Sequence, residues 1–309
     1  MQRGASADQL APAAPPLVSV AAAPPSLSMN QLALIVGVEQ GIFLQHGLDV
    51  QYPVMRSSAA VAATVSGQVN YLYSGDSGVL AAAQDMPLKL FVCNGKYQLH
   101  SFVAQPAIRD WPDLRGKSVA VSDVASTSTT VAEVMLARHS VPKSEVTFLP
   151  VGSTTNARTA LLANQVEGAI MSPQDQVIAE QQGYRVMGTS ENYVPLPPNC
   201  TVAHETKLSQ HRDEVKALIR GTFDALKAIR EQRDATIQTM VSTLELEPGL
   251  AAPLYDALRH TFETDGRMID EQIAWQLGEA RERVGSEVPP SKVYDWSVLD
   301  EVLAENGPR

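Results

Sequence analysis

The chain has 309 residues, 44% of them hydrophobic, enough for a sizeable core in two lobes or in one large α/β unit. A formal net charge of −10 argues against nucleic acid and anionic membrane surfaces as partners, because both need a basic footprint; a small anionic ligand held by local donors stays open. Two cysteines, Cys93 and Cys200, form no CxxC, and six histidines form no helical metal pair, so no metal is expected and the cysteines read as two buried thiols rather than a disulfide.

Residues 1–16 are rich in Ala and Pro and lack a hydrophobic signal core. They read as a disordered lead-in, either the remnant of a processed signal peptide or the start of a cytosolic chain. From Leu17 to about Thr189 short apolar runs alternate with helical segments. The runs "LVSVAAA", "LDVQYPV", "VNYLYS", "LKLFVCN", "KSVAVS", "VTFLPV", "GAIMS" and "YRVMG" are expected strands. Several are nearly continuous in apolar residues, as strands covered on both faces should be. Helices are expected over 57–66, after Ser57 and Ser58, and over 128–139, where Val131, Val134 and Met135 share a face and Thr130 with Glu133 has capping-box spacing. The alternation predicts an α/β fold with parallel sheets. After Thr189 come a Pro-rich connection, "ENYVPLPPN", and a short strand, "CTVAHE". Val215, Leu218, Ile219, Thr222, Phe223, Leu226 and Ile229 then recur at helical spacing. Further helices are expected at 248–262, 269–284 and 297–304.

Residues 53–84 echo residues 150–181 without gaps, with eight identities including Pro53/Pro150, Gln68/Gln165 and Gln84/Gln181. Ser57-Ser58 falls on Thr154-Thr155, hydroxyl residues suited to cap a helix start. Gly67 falls on Asn164, the residue types best suited to a left-handed helix end. Matching punctuation at both ends predicts two similar lobes.

Three tempting motifs fail. Gly75-Asp76-Ser77-Gly78 and "TVAHE" borrow the letters of trypsin-like proteases, but the order is wrong, the pattern is βα rather than β-barrel, and Val79 stands where a glycine is needed. "RGKS" (115–118) lacks the leading glycine of a phosphate loop, Trp111 being there, and precedes a strand. "SVPK" (140–143) has no companion motif.

What remains is a set of strand ends that run into small polar residues at helix starts. Free N–H groups and hydroxyls there suit a polar or anionic ligand without a formal cation, and in parallel sheets such ends line one crevice. The candidate ligand-binding residues are Ser28, Ser57 and Ser58, then Ser74, Gly75 and Asp76, then Ser126, Thr127 and Ser172. Arg56, Lys96 and Arg158 are the cationic candidates near those ends, and the first two join the candidate set. Tyr71, Tyr73, Tyr97, Trp111 and Tyr193 are the alternatives for stacking on an aromatic ligand, or plain packing.

Several longer segments carry a resemblance. "VEQGIFLQHGLDVQ" (38–51), "SGQVNYLYSGDSGVLAAAQDMPLKLF" (66–91), "DLRGKSVAV" (113–121), "LLANQVEGAIMSP" (161–173) and "YDWSVLDEVLAE" (294–305) together resemble the solute-binding components of ABC importers in the nitrate/sulfonate/taurine group. Asn70 replaces that group's usual aspartate, and Asp85-Met86 its usual Ala-Gly. The resemblance spans nearly the whole chain from Leu17. It implies a two-lobed type II periplasmic-binding-protein fold, each lobe a mostly parallel sheet flanked by helices, with extra C-terminal helices. Lobe one would hold 17–104 and 200–309, lobe two 105–199, with "SFVAQP" and "CTVAHE" as the crossings and hinge closure on one solute. It further implies a sulfonate, taurine, nitrate or related organic solute, an ABC permease as partner, a monomer, a periplasmic location, no cofactor and no chemistry. Cytosolic thiamine-pyrimidine synthases share the fold and consume pyridoxal phosphate, but carry a cysteine cluster that this chain lacks. They are the enzyme alternative, beside a binding protein for a pyrimidine or other aromatic precursor.

Overall fold

A computed structural model describes residues 17–124, 126–193 and 196–306. The expected lead-in over 1–16, and part of the Pro-rich connection, lie outside the described residues. Ten strands form two five-stranded sheets. The strands are β1 (Val18–Ala23), β2 (Leu48–Gln51), β3 (Tyr71–Leu72), β4 (Leu88–Cys93), β5 (Ser101–Ala104), β6 (Ser118–Val121), β7 (Thr147–Pro150), β8 (Gly168–Met171), β9 (Arg185–Thr189) and β10 (Cys200–His204). The first sheet runs β2-β1-β3-β10-β4 and the second β7-β6-β8-β5-β9. In the first, β1 lies parallel to β2 and β3 while β10 is antiparallel to β3 and β4. In the second, β6 lies parallel to β7 and β8 while β5 is antiparallel to β8 and β9. Strand β10 fills in one sheet the place that β5 fills in the other. The placement of "SFVAQP" at the end of lobe one needs correction: Ser101–Ala104 pairs wholly within the second sheet, so the chain crosses between Cys93 and Ser101.

The helices are α1 (Leu32–Glu39), α2 (Ile42–Gln45), α3 (Ser57–Val65), α4 (Gly75–Ala83), α5 (Thr127–Arg138), α6 (Thr154–Leu162), α7 (Pro173–Gln181), α8 (Glu205–Gln210), α9 (Arg212–Glu231), α10 (Arg233–Thr243), α11 (Pro248–Leu258), α12 (Asp270–Val284), α13 (Pro290–Val293) and α14 (Ser297–Asn306). They cover both faces of each sheet, which explains the nearly unbroken apolar strands. In the first sheet Val20, Ala22, Tyr71 and Phe91 enter one core, and Ala23, Leu72, Leu90 and Val202 the other. In the second, Phe102, Val119 and Ile170 face one core while Val103, Ala120 and Ala169 face the other. All seven residues of the 215–229 stripe are buried along α9.

The repeat is structural. α3 and α6 have the same bounds at an offset of 97, and Gly67 (φ 77°) and Asn164 (φ 55°) both take the left-handed conformation after them. The expected caps sit one residue late: Arg56 and Ser153 hold the N-cap positions, and Ser153 accepts from the Asn156 N–H. Thr130 is no cap either. Ser126 precedes α5, and Thr130 lies inside its first turn. α4 begins at Gly75, and its glycines allow close packing on β10. A Cβ on Gly75 would lie 3.3 Å from Cys200 Cβ, and one on Gly78 would lie 2.5 Å from Val202 Cγ2. That approach, not a nucleophile turn, is the reason for the Gly-Asp-Ser-Gly letters.

The cysteines correct another expectation. Cys93 and Cys200 are directly opposed on β4 and β10 and form a disulfide. Their separation of 107 residues hides a cross-strand pair that only the sheet register reveals.

Candidate functional site

The helix starts of both lobes converge on one cleft. Ser28, Ser57, Ser74, Gly75 and Asp76 line it from the first lobe, and Ser126 and Thr127 from the second. Each belongs to a β–polar–α junction, and the parallel strand order places these junctions at one edge. Asn30, Gln31, Gln98 and Asn199 join from the first side, and Ser122, Asp123, Ser128, Gly152, Ser153 and Thr154 from the second. Sequence reasoning passed over most of these. Ser122 and Ser153 carry the same junction signal as the residues named, whereas Gln98 and Asn199 sit in the crossings, where no periodicity marks them.

Four candidates lie elsewhere. Ser58 turns into an adjoining groove with Val61, Leu80 and Met86, which shares Ser57 and Asp123 with the cleft. Ser172 is buried and donates to Asp175 Oδ2 at 2.6 Å, so its hydroxyl is spent inside the second lobe. Lys96 pairs with Glu263 at 2.9 Å on the surface. Arg56 is exposed, with its guanidinium against Gly152 at the rim. Arg158 pairs with the buried Asp175 at 2.8 Å. The aromatic candidates pack or pair: Tyr71 donates to Glu214 at 2.7 Å, Tyr73 is buried, Trp111 stacks on His139 with centroids 4.3 Å apart beside Tyr193, and Tyr97 bonds His260 at 2.8 Å.

Direct bonds tie the lobes across the cleft. Thr127 Oγ1 donates to Asp76 Oδ2. The Met29 N–H donates to Gln174 Oε1 at 3.2 Å, and Arg283 donates to Thr130 Oγ1 at 2.7 Å. Gln276 Nε2 donates to Asp76 Oδ1 at 2.7 Å, and Gln276 in turn accepts from the Tyr294 hydroxyl at 2.8 Å. Burial pushes the Asp76 carboxyl up to about 6, against the lowering by hydrogen bonds from Gln276 and Gln98 and by nearby Arg283. Burial drives His100, also in the cleft, down to about 4, so its imidazole is neutral at physiological pH. The arrangement is a polar clamp with donors from both lobes. Ser77 and His204 form no pair: Ser77 accepts from Ser74 at 3.2 Å, and His204 Nδ1 accepts from the Thr206 N–H at 3.2 Å.

The family model described as NMT1/THI5 like matches residues 28–236. The chain belongs to the NMT1/THI5-like family. No curated protein matches it in sequence. Among solved structures it is similar to the alkanesulfonate-binding protein SsuA from Xanthomonas axonopodis pv. citri bound to MOPS, with TM-score 0.74, 14% identity, and coverage of 94% of this chain and 99% of that one. It is also similar to the periplasmic aliphatic sulphonate binding protein SsuA from Escherichia coli, with TM-score 0.70, 16% identity, and coverage of 95% and 99%. The desulfurization enzyme DSZB aligns too, with TM-score 0.65, 12% identity, and coverage of 94% and 99%. These likenesses establish the periplasmic-binding-protein fold for this NMT1/THI5-like chain. Its two-sheet topology, with one antiparallel strand in each sheet, agrees with them.

Proposed function

We propose that this protein binds one small polar solute between its lobes and delivers it to the permease of an ABC importer, acting as a monomer outside the cytoplasm. The observation that carries this reading is the cleft itself: helix starts from both lobes converge on it, and Thr127 reaches across to Asp76. Backbone N–H groups and hydroxyls at helix starts hold oxygen-rich groups such as sulfonate, nitrate or carboxylate. The sulfonate-binding neighbours support a solute of the sulfonate or related organic class. The disulfide supports an oxidising compartment. It also engages both cysteines, which weighs against thiol chemistry of the enzyme alternative, and among the described residues no aromatic side chain other than His100 lines the cleft to stack a pyrimidine.

Thermal unfolding of protein first unfolded and refolded to strip bound solute tests the reading. Across alkanesulfonates, nitrate, carboxylates and pyrimidines, at least one at 100 times its Kd should stabilise the fold by about 2.7 kcal/mol. No shift with any of them, or turnover of one, contradicts the proposal.

A further inference from the structure

α12 touches both lobes and both crossings. One face, with Ile273, Leu277, Ala280 and Val284, packs against α4 in a core of the first lobe. Trp275, on another face, packs on a core of the second lobe. At the start of α12, Gln272 donates to the backbone carbonyls of Lys96 at 2.7 Å and Leu196 at 3.1 Å, one in each crossing. Midway, Gln276 donates to Asp76 Oδ1 at 2.7 Å, and Asp76 Oδ2 accepts from Thr127 of α5. In the last turn Arg283 donates to Thr130 of α5 at 2.7 Å. Both Asp76 oxygens are thus engaged by protein donors. Asp76 is shared by the cleft and a second interlobe pocket, which Trp275, Gln276 and Arg283 line without lining the cleft.

We infer that α12 is a latch that sets how firmly the lobes stay closed, with Asp76 as its keystone rather than a solute contact. The inference rests on the proposed binding role and concerns the closing of that same site. Arg283 lies about 17 Å along the helix from Gln272, at about 1.5 Å per residue. Opening by about 10° at the crossings therefore carries Thr130 about 3 Å from it, beyond hydrogen-bond reach. The Asp76–Thr127 bond and the seat of Trp275 part in the same movement. None of these contacts involves the solute, so they favour the closed form equally for every solute.

Arg283→Met and Thr130→Val, singly and together, test it. Arg283 is exposed, so its replacement should alter stability little. Losing a bond worth about 1 kcal/mol raises the open-to-closed ratio about fivefold. Where the solute-free protein is mostly open, this reads as an affinity weakened by about that factor. Where it is mostly closed, it reads as a larger radius of gyration in small-angle X-ray scattering. Isothermal titration with 2-aminoethanesulfonate, nitrate, propanoate and cytosine takes the first reading. Every probe that binds should weaken by the same factor, and the double variant should match either single one, since both remove one bond. A loss confined to one of several binding probes, additive losses, or no change in either measurement overturns the latch and leaves the binding role standing. Absence of binding by all four overturns the binding role, and the scattering of the solute-free proteins then decides the latch alone.

Discussion

At the scale of single residues, two buried titrating groups in the cleft oppose each other. Asp76 is raised from 3.8 to about 6, so it contributes stability as pH falls through 6 toward 4 and loses it as pH rises. His100 is lowered from 6.5 to about 4, so its contribution is present above 6.5 and is lost as pH falls through that window. Each shift of one unit corresponds to about 1.4 kcal/mol, and the two windows nearly coincide, so the terms largely cancel. Asp76→Asn should unmask the histidine, making the fold less stable from pH 6.5 to 4 by roughly 2–3 kcal/mol relative to wild type. His100→Gln should do the reverse. Urea denaturation across that range reads both, and parallel pH profiles for all three proteins would contradict the assignment. The Asp76 side chain was legible from the sequence as part of a strand–polar–helix junction. His100 was not, because it stands in the crossing before β5 and belongs to no motif.

At the scale of elements, the repeat and the strands were legible because their signals are local. Gly67 and Asn164 mark helix ends by backbone preference alone, and Val119 or Ile170 marks a strand by its apolar neighbours. α1 was missed because it is apolar almost all round, with Leu32, Ala33, Leu34, Ile35 and Val36 all buried, so no amphipathic period appears. The start of α4 at Gly75 was not legible, because Gly75 and Gly78 look like turn residues when β10, more than a hundred residues on, is not in view. Gly78→Ala should place a methyl against Val202 and cost about 1–3 kcal/mol. It should also weaken solute binding, since the first turn of α4 carries Asp76. A neutral effect in thermal unfolding would show that the approach of α4 to β10 is not tight.

At the scale of the molecule, two crossings connect the lobes, and the disulfide closes the chain where it leaves and re-enters the first sheet. All of β5 to β9 hangs from that loop. In the chain-entropy picture, cross-linking about 100 residues adds about 4.7 kcal/mol. Reduction should therefore lower the denaturation midpoint sharply; no change on reduction, with two thiols titrating in the native protein, would restore the sequence expectation. That pairing was illegible because register is a property of the sheet. In the proposed binding mode, one solute is held by both lobes at once. Its most direct measurement is isothermal titration of 2-aminoethanesulfonate, or of whichever sulfonate or carboxylate gives the largest thermal shift, into wild type, Ser57→Ala and Thr154→Val. The expected result is one site per chain, with each substitution weakening affinity about fivefold or more, as a lost hydrogen bond worth about 1 kcal/mol requires. Binding that one lobe's substitution weakens and the other's leaves untouched would contradict it.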